Sequence, residues 1–223
     1  MSNIPASTRR AEIEGFLKSK ALALNTRGRL IFALDATASR QPSWDTACAL
    51  QAQMFDEVAT IGIDVQLVYF RGSECQASSW VSNARALAAL MEKIGCQTGY
   101  TQIGKVLAHT QREHDRQKVR ALVFVGDAIE EKATDLYRLS DELARRIIPC
   151  FMFQEGDDPE AMRAFKEIAR LTKGAYCRFS PGAASELAEL LRAVAAYAAG
   201  GVQALSTSRN AGAVKLLTQL GGS

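Results

Sequence analysis

Three oxygen-bearing side chains follow a short apolar run near the start of the chain. The residues from Leu30 to Leu34 are all apolar, and Asp35, Thr37 and Ser39 then occupy alternate positions. Side chains at alternate positions of an extended segment point to the same side. One carboxylate and two hydroxyls would therefore present hard oxygen donors together at the tip of a buried strand.

Two later segments supply further oxygens. Thr101 stands at the start of a helical pattern, directly after Gly99 and Tyr100, and Asp127 follows a second apolar run. Oxygen donors without His or Cys suit Mg²⁺, Mn²⁺ or Ca²⁺ better than zinc. Two carboxylates balance the charge of a divalent ion, and hydroxyls add donors without adding charge. We therefore predict a nearly neutral divalent-cation site, open to an incoming carboxylate, that is formed by Asp35, Thr37, Ser39, Thr101 and Asp127.

The elements that must position these side chains alternate along the chain. Short apolar runs rich in Val, Ile and Phe are typical of strands in a parallel sheet covered on both faces. They are separated by segments with apolar residues at three- and four-residue spacing, which is typical of helices. We predict strands at 30–34, 65–70, 119–125, 147–153 and 175–179, a weak antiparallel edge strand at 79–81, and helices at 11–24, 44–59, 84–94, 103–114, 136–146, 159–171 and 183–199.

This alternation predicts an α/β fold, with a doubly wound and mostly parallel sheet of the Rossmann-like type and helices on both faces. In such sheets ligands bind beyond the carboxyl ends of the strands, at the point where the strand order reverses. If the strands that end at Asp35 and before Asp127 are neighbours, the five oxygen-bearing side chains converge there.

The chain ends are predicted to differ from this central domain. Residues 1–27 are interpreted as a helical extension, residues 28–200 as the α/β domain, and residues 201–223 as a linker followed by a short amphipathic segment. That segment has Val214, Leu217 and Leu220 on one helical face. We expect this face to dock on its own domain rather than on a partner.

Composition limits the possible functions. The chain has 223 residues, 48% of them hydrophobic, and a net charge of +3. Residues 1–29 carry six Lys and Arg against two Glu, and residues 201–223 carry two basic residues and no acid, which leaves residues 30–200 at about −3. A nucleic-acid-binding domain is usually basic. We expect no nucleic-acid partner. Five cysteines without a short-spacing pattern, no signal-peptide pattern and no apolar run of about 18 residues predict a cytoplasmic protein without a membrane span.

The segments "DATAS", "GYTQIGKVL" and "VFVGDA" together resemble the metal-ion-dependent adhesion site of von Willebrand factor type A domains. The pattern in that family is Asp-x-Ser-x-Ser, then a Thr, then an Asp after a later strand. The first motif is matched by Asp35, Thr37 and Ser39, the second by Thr101 and the third by Asp127. Thr replaces the first Ser but keeps the hydroxyl, and Ala128 replaces a frequent Gly. The resemblance spans roughly residues 28–200.

The resemblance implies a protein-interaction module rather than an enzyme. The bound ion would be Mg²⁺, or Mn²⁺ or Ca²⁺, and a protein partner would contribute an Asp or Glu carboxylate. Bacterial intracellular members of the family often work beside AAA-family ATPases or in other complexes. Trp44 and Tyr100 flank the motifs and are predicted as aromatic partner contacts. For Trp44, packing in the core at a helix start is an equal alternative.

The alternative function is a phosphatase of the haloacid-dehalogenase-like class. Asp35 would be its nucleophile, assisted by Thr101, Lys118 and the acids of "GDAIEE". Such enzymes usually need a second Asp two residues after the nucleophile as a general acid, and Thr37 cannot supply that proton. Ser39 would also have no role.

Individual residues have local alternatives as well. The hydroxyls at positions 37 and 39 could bond to a turn backbone, and Thr101 could cap its helix. We predict that Glu130 and Glu131 are solvated rather than ligands.

Overall fold

The computed structural model describes residues 27–37, 62–180 and 183–221. Within these ranges the chain forms six strands and six helices. In chain order they are β1 (Gly28–Asp35), β2 (Ile63–Arg71), β3 (Glu74–Ala77), α1 (Ala84–Met91), α2 (Ile103–Arg116), β4 (Ala121–Gly126), α3 (Ala133–Arg145), β5 (Cys150–Glu155), α4 (Pro159–Leu171), β6 (Ala175–Phe179), α5 (Ala184–Thr207) and α6 (Ala211–Leu220).

The strands form one sheet in the order β3-β2-β1-β4-β5-β6. Only β3 is antiparallel to its neighbour; the other pairs are parallel. The predicted doubly wound, mostly parallel α/β fold is therefore confirmed. The strand order reverses beside β1, where Leu34 pairs with Tyr69 of β2 on one side and with Val125 of β4 on the other. Because β1 and β4 are parallel neighbours, Asp35 at the end of β1 and Asp127 directly after β4 lie at the same, carboxyl end of the strands.

The apolar strands bury both faces of the sheet. In β1, Leu30 and Phe32 belong to a core layer shared with α1, α5 and α6. Ile31 and Ala33 belong to the opposite layer, which is shared with α2, α3 and α4. A strand covered on both sides has no polar face, which explains why its sequence is apolar throughout.

Helix starts follow the expected capping chemistry. Asp158 precedes α4 and accepts a hydrogen bond from the N–H of Ala161 at 2.6 Å, and Pro159 occupies the first turn. Asn210 caps α6 in the same way, through the N–H of Ala213. These short polar side chains satisfy N–H groups that have no partner inside the helix. The predicted bounds of α4 are confirmed.

A buried ion pair fixes the end of α2 that lies far from Thr101. Glu113 contacts Arg29 of β1 at 3.1 Å and accepts the indole N–H of Trp80 at 2.9 Å. The Arg29 guanidinium lies 3.6 Å from the centre of the Trp80 ring. Burial acts to raise the pKa of Glu113, but hydrogen bonds from Trp80 and Arg116 bring it below its ordinary value. The carboxyl end of α2 is thus tied to the central strand.

The edge strand was predicted at the wrong place. The antiparallel strand is Glu74–Ala77, which joins β2 through a two-residue turn, whereas residues 79–81 were predicted. Val81 forms only an isolated antiparallel bridge with Val65. The Gly72-Ser73 pair at the turn is a hairpin signal that the apolar-run criterion overlooks.

The C-terminal segment also differs from its prediction. A linker was predicted after residue 201, but α5 resumes beyond a break at Gly200 and Gly201 and ends at Thr207. Helix α6 docks on the core layer of α5, and Leu216 is completely buried. Leu217 and Leu220 pack against that layer as predicted, but Val214 is 63% exposed. The docking face is therefore rotated away from Val214.

Several predictions lie outside the described residues. These are the helices at 11–24 and 44–59, together with Ser39 and Trp44. The division of the chain at residues 27 and 200 remains a prediction. None of the helices in the described ranges combines the length and the apolar character that crossing a membrane requires.

Candidate metal centre

Asp35 is the last residue of β1 and is 1% exposed. Its Oδ1 accepts the backbone N–H of Thr37 at 2.8 Å, which fixes the carboxylate relative to the backbone of Thr37. Between them, the N–H of Ala36 donates to the carbonyl of Phe70 in β2 at 3.1 Å. The carbonyl of Ala36 accepts the N–H of Gln97 at 3.0 Å. Residues 35–37 of the first motif are thus held by the Asp35 carboxylate and by two neighbouring segments.

Gly126 ends β4 and lets that strand lie close to Asp35. A Cβ atom at Gly126 would be 3.7 Å from the Cβ of Asp35 and 2.8 Å from Cε1 of Phe124. The absence of a side chain at this position keeps the space beside Asp35 open. Asp127 follows directly and is partly exposed.

Thr101 is buried and is hydrogen bonded to the loop after β4. Its Oγ1 accepts the backbone N–H of Glu130 at 3.0 Å, and its own N–H donates to Oε2 of Glu130. The cap position of α2 is Gln102, whose side chain makes no capping hydrogen bond. Thr101 is therefore not the cap of its helix, which was the local alternative.

Glu131 caps α2 from another part of the chain. Its carboxylate accepts the N–H groups of Ile103 and Gly104, the latter at 2.9 Å. Burial raises the pKa of Glu131, although both backbone donors lower it. The prediction that Glu131 is solvated is wrong, whereas Glu130 is exposed but bonded to Thr101. The first turn of α2 contains no acidic residue of its own, and no local pattern indicates that Glu131 takes this role.

Four of the five predicted site residues line a single surface cavity of about 190 Å³. They are Asp35, Thr37, Thr101 and Asp127; the other lining residues are Thr98, Gly99, Ala128 and Glu130. Tyr100 lies between two lining residues and is 74% exposed. The fifth predicted residue is Ser39, which lies outside the described residues, as does the predicted contact Trp44.

The chemistry of the cavity fits a hard divalent ion. Its polar side chains offer carboxylate and hydroxyl oxygens, which are the donors that Mg²⁺ and Ca²⁺ prefer. Across residues 27–37, 62–180 and 183–221, no three His, Cys, Asp or Glu side chains are grouped so that they could hold a metal ion. An ion in this cavity would therefore need the hydroxyls as well as the carboxylates.

The sheet topology and the cavity define a doubly wound α/β domain with an oxygen-lined site at its switch point.

No protein-family model matches the chain, and no curated protein matches its sequence significantly. Known structures do match its fold. The SpRpn10 VWA domain has 14% sequence identity and a TM-score of 0.54, over 73% of this chain and 94% of that domain.

Two further structures have similar folds. Proximal thread matrix protein 1 from the mussel byssus, with a zinc-occupied MIDAS motif, has 15% identity and a TM-score of 0.59 over 77% of this chain. The match spans 46% of the mussel protein. The vWF domain of the type V pili tip protein Mfa5 from Porphyromonas gingivalis has 9% identity and a TM-score of 0.56, over 76% of this chain and 94% of that domain. The chain has the fold of a von Willebrand factor type A domain.

Proposed function

We propose that this protein is an interaction module that binds a protein partner through a divalent cation. The proposed ligands are Asp35, Thr37, Ser39, Thr101 and Asp127. One observation carries the proposal: the four of these residues that lie in the described ranges line one cavity at the switch point of the sheet. We infer that Ser39 completes the set, because it continues the alternate spacing of the first motif.

The proposed ion is Mg²⁺, with Mn²⁺ and Ca²⁺ as alternatives. Mg²⁺ requires nearly octahedral coordination and usually keeps some of its water. Five side chains leave at least one position for water, and more if some of them act through water. Asp35 and Asp127 balance the charge of the ion, so that the occupied site does not repel a carboxylate. An Asp or Glu of the partner would take the position of that water.

The partner surface would extend beyond the ion, because one carboxylate contact cannot give specificity. Tyr100 is 74% exposed beside the cavity and supports the proposal of an aromatic contact at the rim. Trp44 is proposed as a second contact. We propose a cytoplasmic role within a protein complex, for example one that contains an AAA-family ATPase. The mussel protein of similar fold is described with a zinc-occupied MIDAS motif, which is a metal site of the kind proposed here.

A phosphatase function is disfavoured by the position of Lys118. This residue precedes β4 and therefore lies at the amino ends of the parallel strands, opposite the end where Asp35 lies. Glu131, one of the acids of "GDAIEE" that this alternative could use, caps α2 instead. We therefore propose that the protein has no hydrolytic activity of its own.

Affinity capture with the full chain as bait tests the proposed function. Proteins from the source organism would be captured in Mg²⁺ and in EDTA, with wild type and with Thr101→Ala. Thr98→Ala is the matched control, because Thr98 lines the same cavity but is not a proposed ligand. We expect a partner to be retained in Mg²⁺ by wild type and the control, and to be lost in EDTA and by Thr101→Ala. If wild type in EDTA and Thr101→Ala in Mg²⁺ both capture the partner as well as wild type does in Mg²⁺, the cavity is not the docking surface.

A further inference from the structure

Glu130 is joined to Thr101 by two hydrogen bonds that run in opposite directions. The backbone N–H of Glu130 donates to Thr101 Oγ1 at 3.0 Å. The carboxylate of Glu130 accepts the backbone N–H of Thr101. The two residues are 29 positions apart in sequence, so these bonds connect the loop after β4 to the residue before the cap of α2.

These bonds restrict both the backbone and the side chain of Thr101. A hydroxyl oxygen has two lone pairs and one hydrogen. One lone pair of Oγ1 accepts the Glu130 N–H, which leaves the second for another partner. A β-branched side chain has few χ1 rotamers, and a hydrogen bond at Oγ1 favours one of them. The backbone N–H of Glu130 therefore holds the hydroxyl oxygen of Thr101, and the Glu130 carboxylate fixes the Thr101 backbone that carries this hydroxyl, before any ion binds.

The neighbouring Glu131 strengthens the same connection. It accepts the first two N–H groups of α2, at Ile103 and Gly104. The loop that begins at Asp127 is thus bonded to the start of α2 on both sides of Gln102. Asp127 and Thr101, which belong to different segments of the candidate site, are held in one unit by these two adjacent acids.

We propose that Glu130 is a positioning residue of the candidate metal centre, which orients the Thr101 hydroxyl toward the ion without being a ligand itself. The inference rests on the proposed function. Glu130 lines the cavity, but its Oε2 is bonded to the Thr101 N–H. Within the described ranges, Glu130 also does not form, with Asp35 and Asp127, a group of three acidic side chains that could hold a metal ion.

Mn²⁺ affinity of the full chain, measured by titration calorimetry, tests this role. Glu130→Ala removes the acceptor for the Thr101 N–H and should weaken Mn²⁺ binding about tenfold, the low end of the range for residues that orient a ligand. Glu130→Gln keeps an acceptor oxygen at the same position and removes the charge. We expect it to retain most of the wild-type affinity.

A double-mutant cycle separates positioning from direct ligation. Thr101→Val keeps the shape and the backbone N–H but lacks the hydroxyl. If Glu130 acts through that hydroxyl, Glu130→Ala should cause no further loss of Mn²⁺ affinity in the Thr101→Val background. The inference is overturned if Glu130→Ala and Glu130→Gln lose Mn²⁺ affinity equally and the loss persists in the Thr101→Val background. That result would identify the Glu130 carboxylate as a ligand.

A second readout does not involve the ion. Amide hydrogen exchange at Thr101, followed by NMR in EDTA, should be faster in Glu130→Ala and close to wild type in Glu130→Gln. Wild-type Mn²⁺ affinity in Glu130→Ala would overturn the positioning role alone. If the wild-type protein does not bind Mn²⁺, the proposed function fails, and the positioning role fails with it.

Discussion

At the scale of single residues, the space around Asp35 depends on how closely β1 and β4 approach each other. A Cβ on Gly126 would lie 2.8 Å from Cε1 of Phe124. The Phe124 ring has little room to retreat, because its centroid lies 6.0 Å from that of Phe70 in a stacked pair and 5.4 Å from that of Phe165 in an edge-to-face pair. A methyl group at position 126 would therefore strain the core next to the candidate site.

Gly126→Ala should lower the free energy of unfolding by about 1–3 kcal/mol, the usual cost of overpacking a core. Urea denaturation of the full chain in EDTA measures this change. Gly95→Ala is the matched control, because a Cβ there has no neighbour within 4 Å, and we expect it to cause no loss. Equal stability of the two variants would contradict the proposed packing constraint.

Residue types and spacing predict the oxygen-bearing residues of the cavity, but not what holds them. Asp35, Thr37, Thr101 and Asp127 could be predicted to meet because parallel strands end at one edge and their apolar runs are easy to recognise. The roles of Glu130 and Glu131 depend on hydrogen bonds to residues 27 to 29 positions away. A local pattern contains no information about which distant N–H a carboxylate will meet.

At the scale of elements, α6 covers the edge strand β6. The side-chain amide of Gln219 accepts the N–H of Tyr176 at 2.9 Å and donates to its carbonyl at 2.6 Å, as a neighbouring strand would do. Exposed edge strands invite pairing with other chains, and covering them prevents it. Close packing of α6 on α5 is possible because Gly212 lies against the backbone at Glu189, where a Cβ would be 2.3 Å from the carbonyl oxygen.

Gly212→Ala distinguishes this packing from helix propensity. Propensity alone predicts that the substitution stabilises α6 by about 1 kcal/mol. The contact with the Glu189 carbonyl predicts the opposite, a lower melting temperature and faster amide exchange at Tyr176 as Gln219 withdraws. Val214→Ala, at an exposed position of the same helix, should leave both measurements nearly unchanged. A higher melting temperature in Gly212→Ala would show that the α5–α6 contact does not limit side-chain size.

Helix and strand types follow from periodicity, whereas element ends depend on packing. The pattern predicts α4 and β6 with their observed bounds, because strong caps or a clear apolar run mark them. The glycine pair at 200–201 indicates a helix end, yet the helix resumes because Leu205 is completely buried in the core. Burial of an apolar side chain contributes about 1.5–3 kcal/mol, which favours a further helical segment after the two non-helical glycines.

At the scale of the whole molecule, the fold brings separate segments of the chain together at one site. The central strand β1 ends in a buried carboxylate, and the strand order reverses beside it. The loop after β4 is bonded to the start of α2 through Glu130 and Glu131. An ion bound at this point would contact segments from three parts of the chain in the folded state only. Binding of that kind stabilises the fold in proportion to the logarithm of ion concentration.

Melting curves of the full chain, recorded in Mn²⁺ or Mg²⁺ and in EDTA, test the proposed metal site most directly. At an ion concentration about 100 times the dissociation constant, binding should add about 2.7 kcal/mol to the stability, which corresponds to a rise in Tm of roughly 5–10 °C. Asp35→Ala and Asp127→Ala should remain folded and lose this rise, whereas Thr98→Ala should keep it. Identical curves of the wild-type protein in EDTA and in millimolar ion would contradict the metal site, and with it the proposed mode of partner binding.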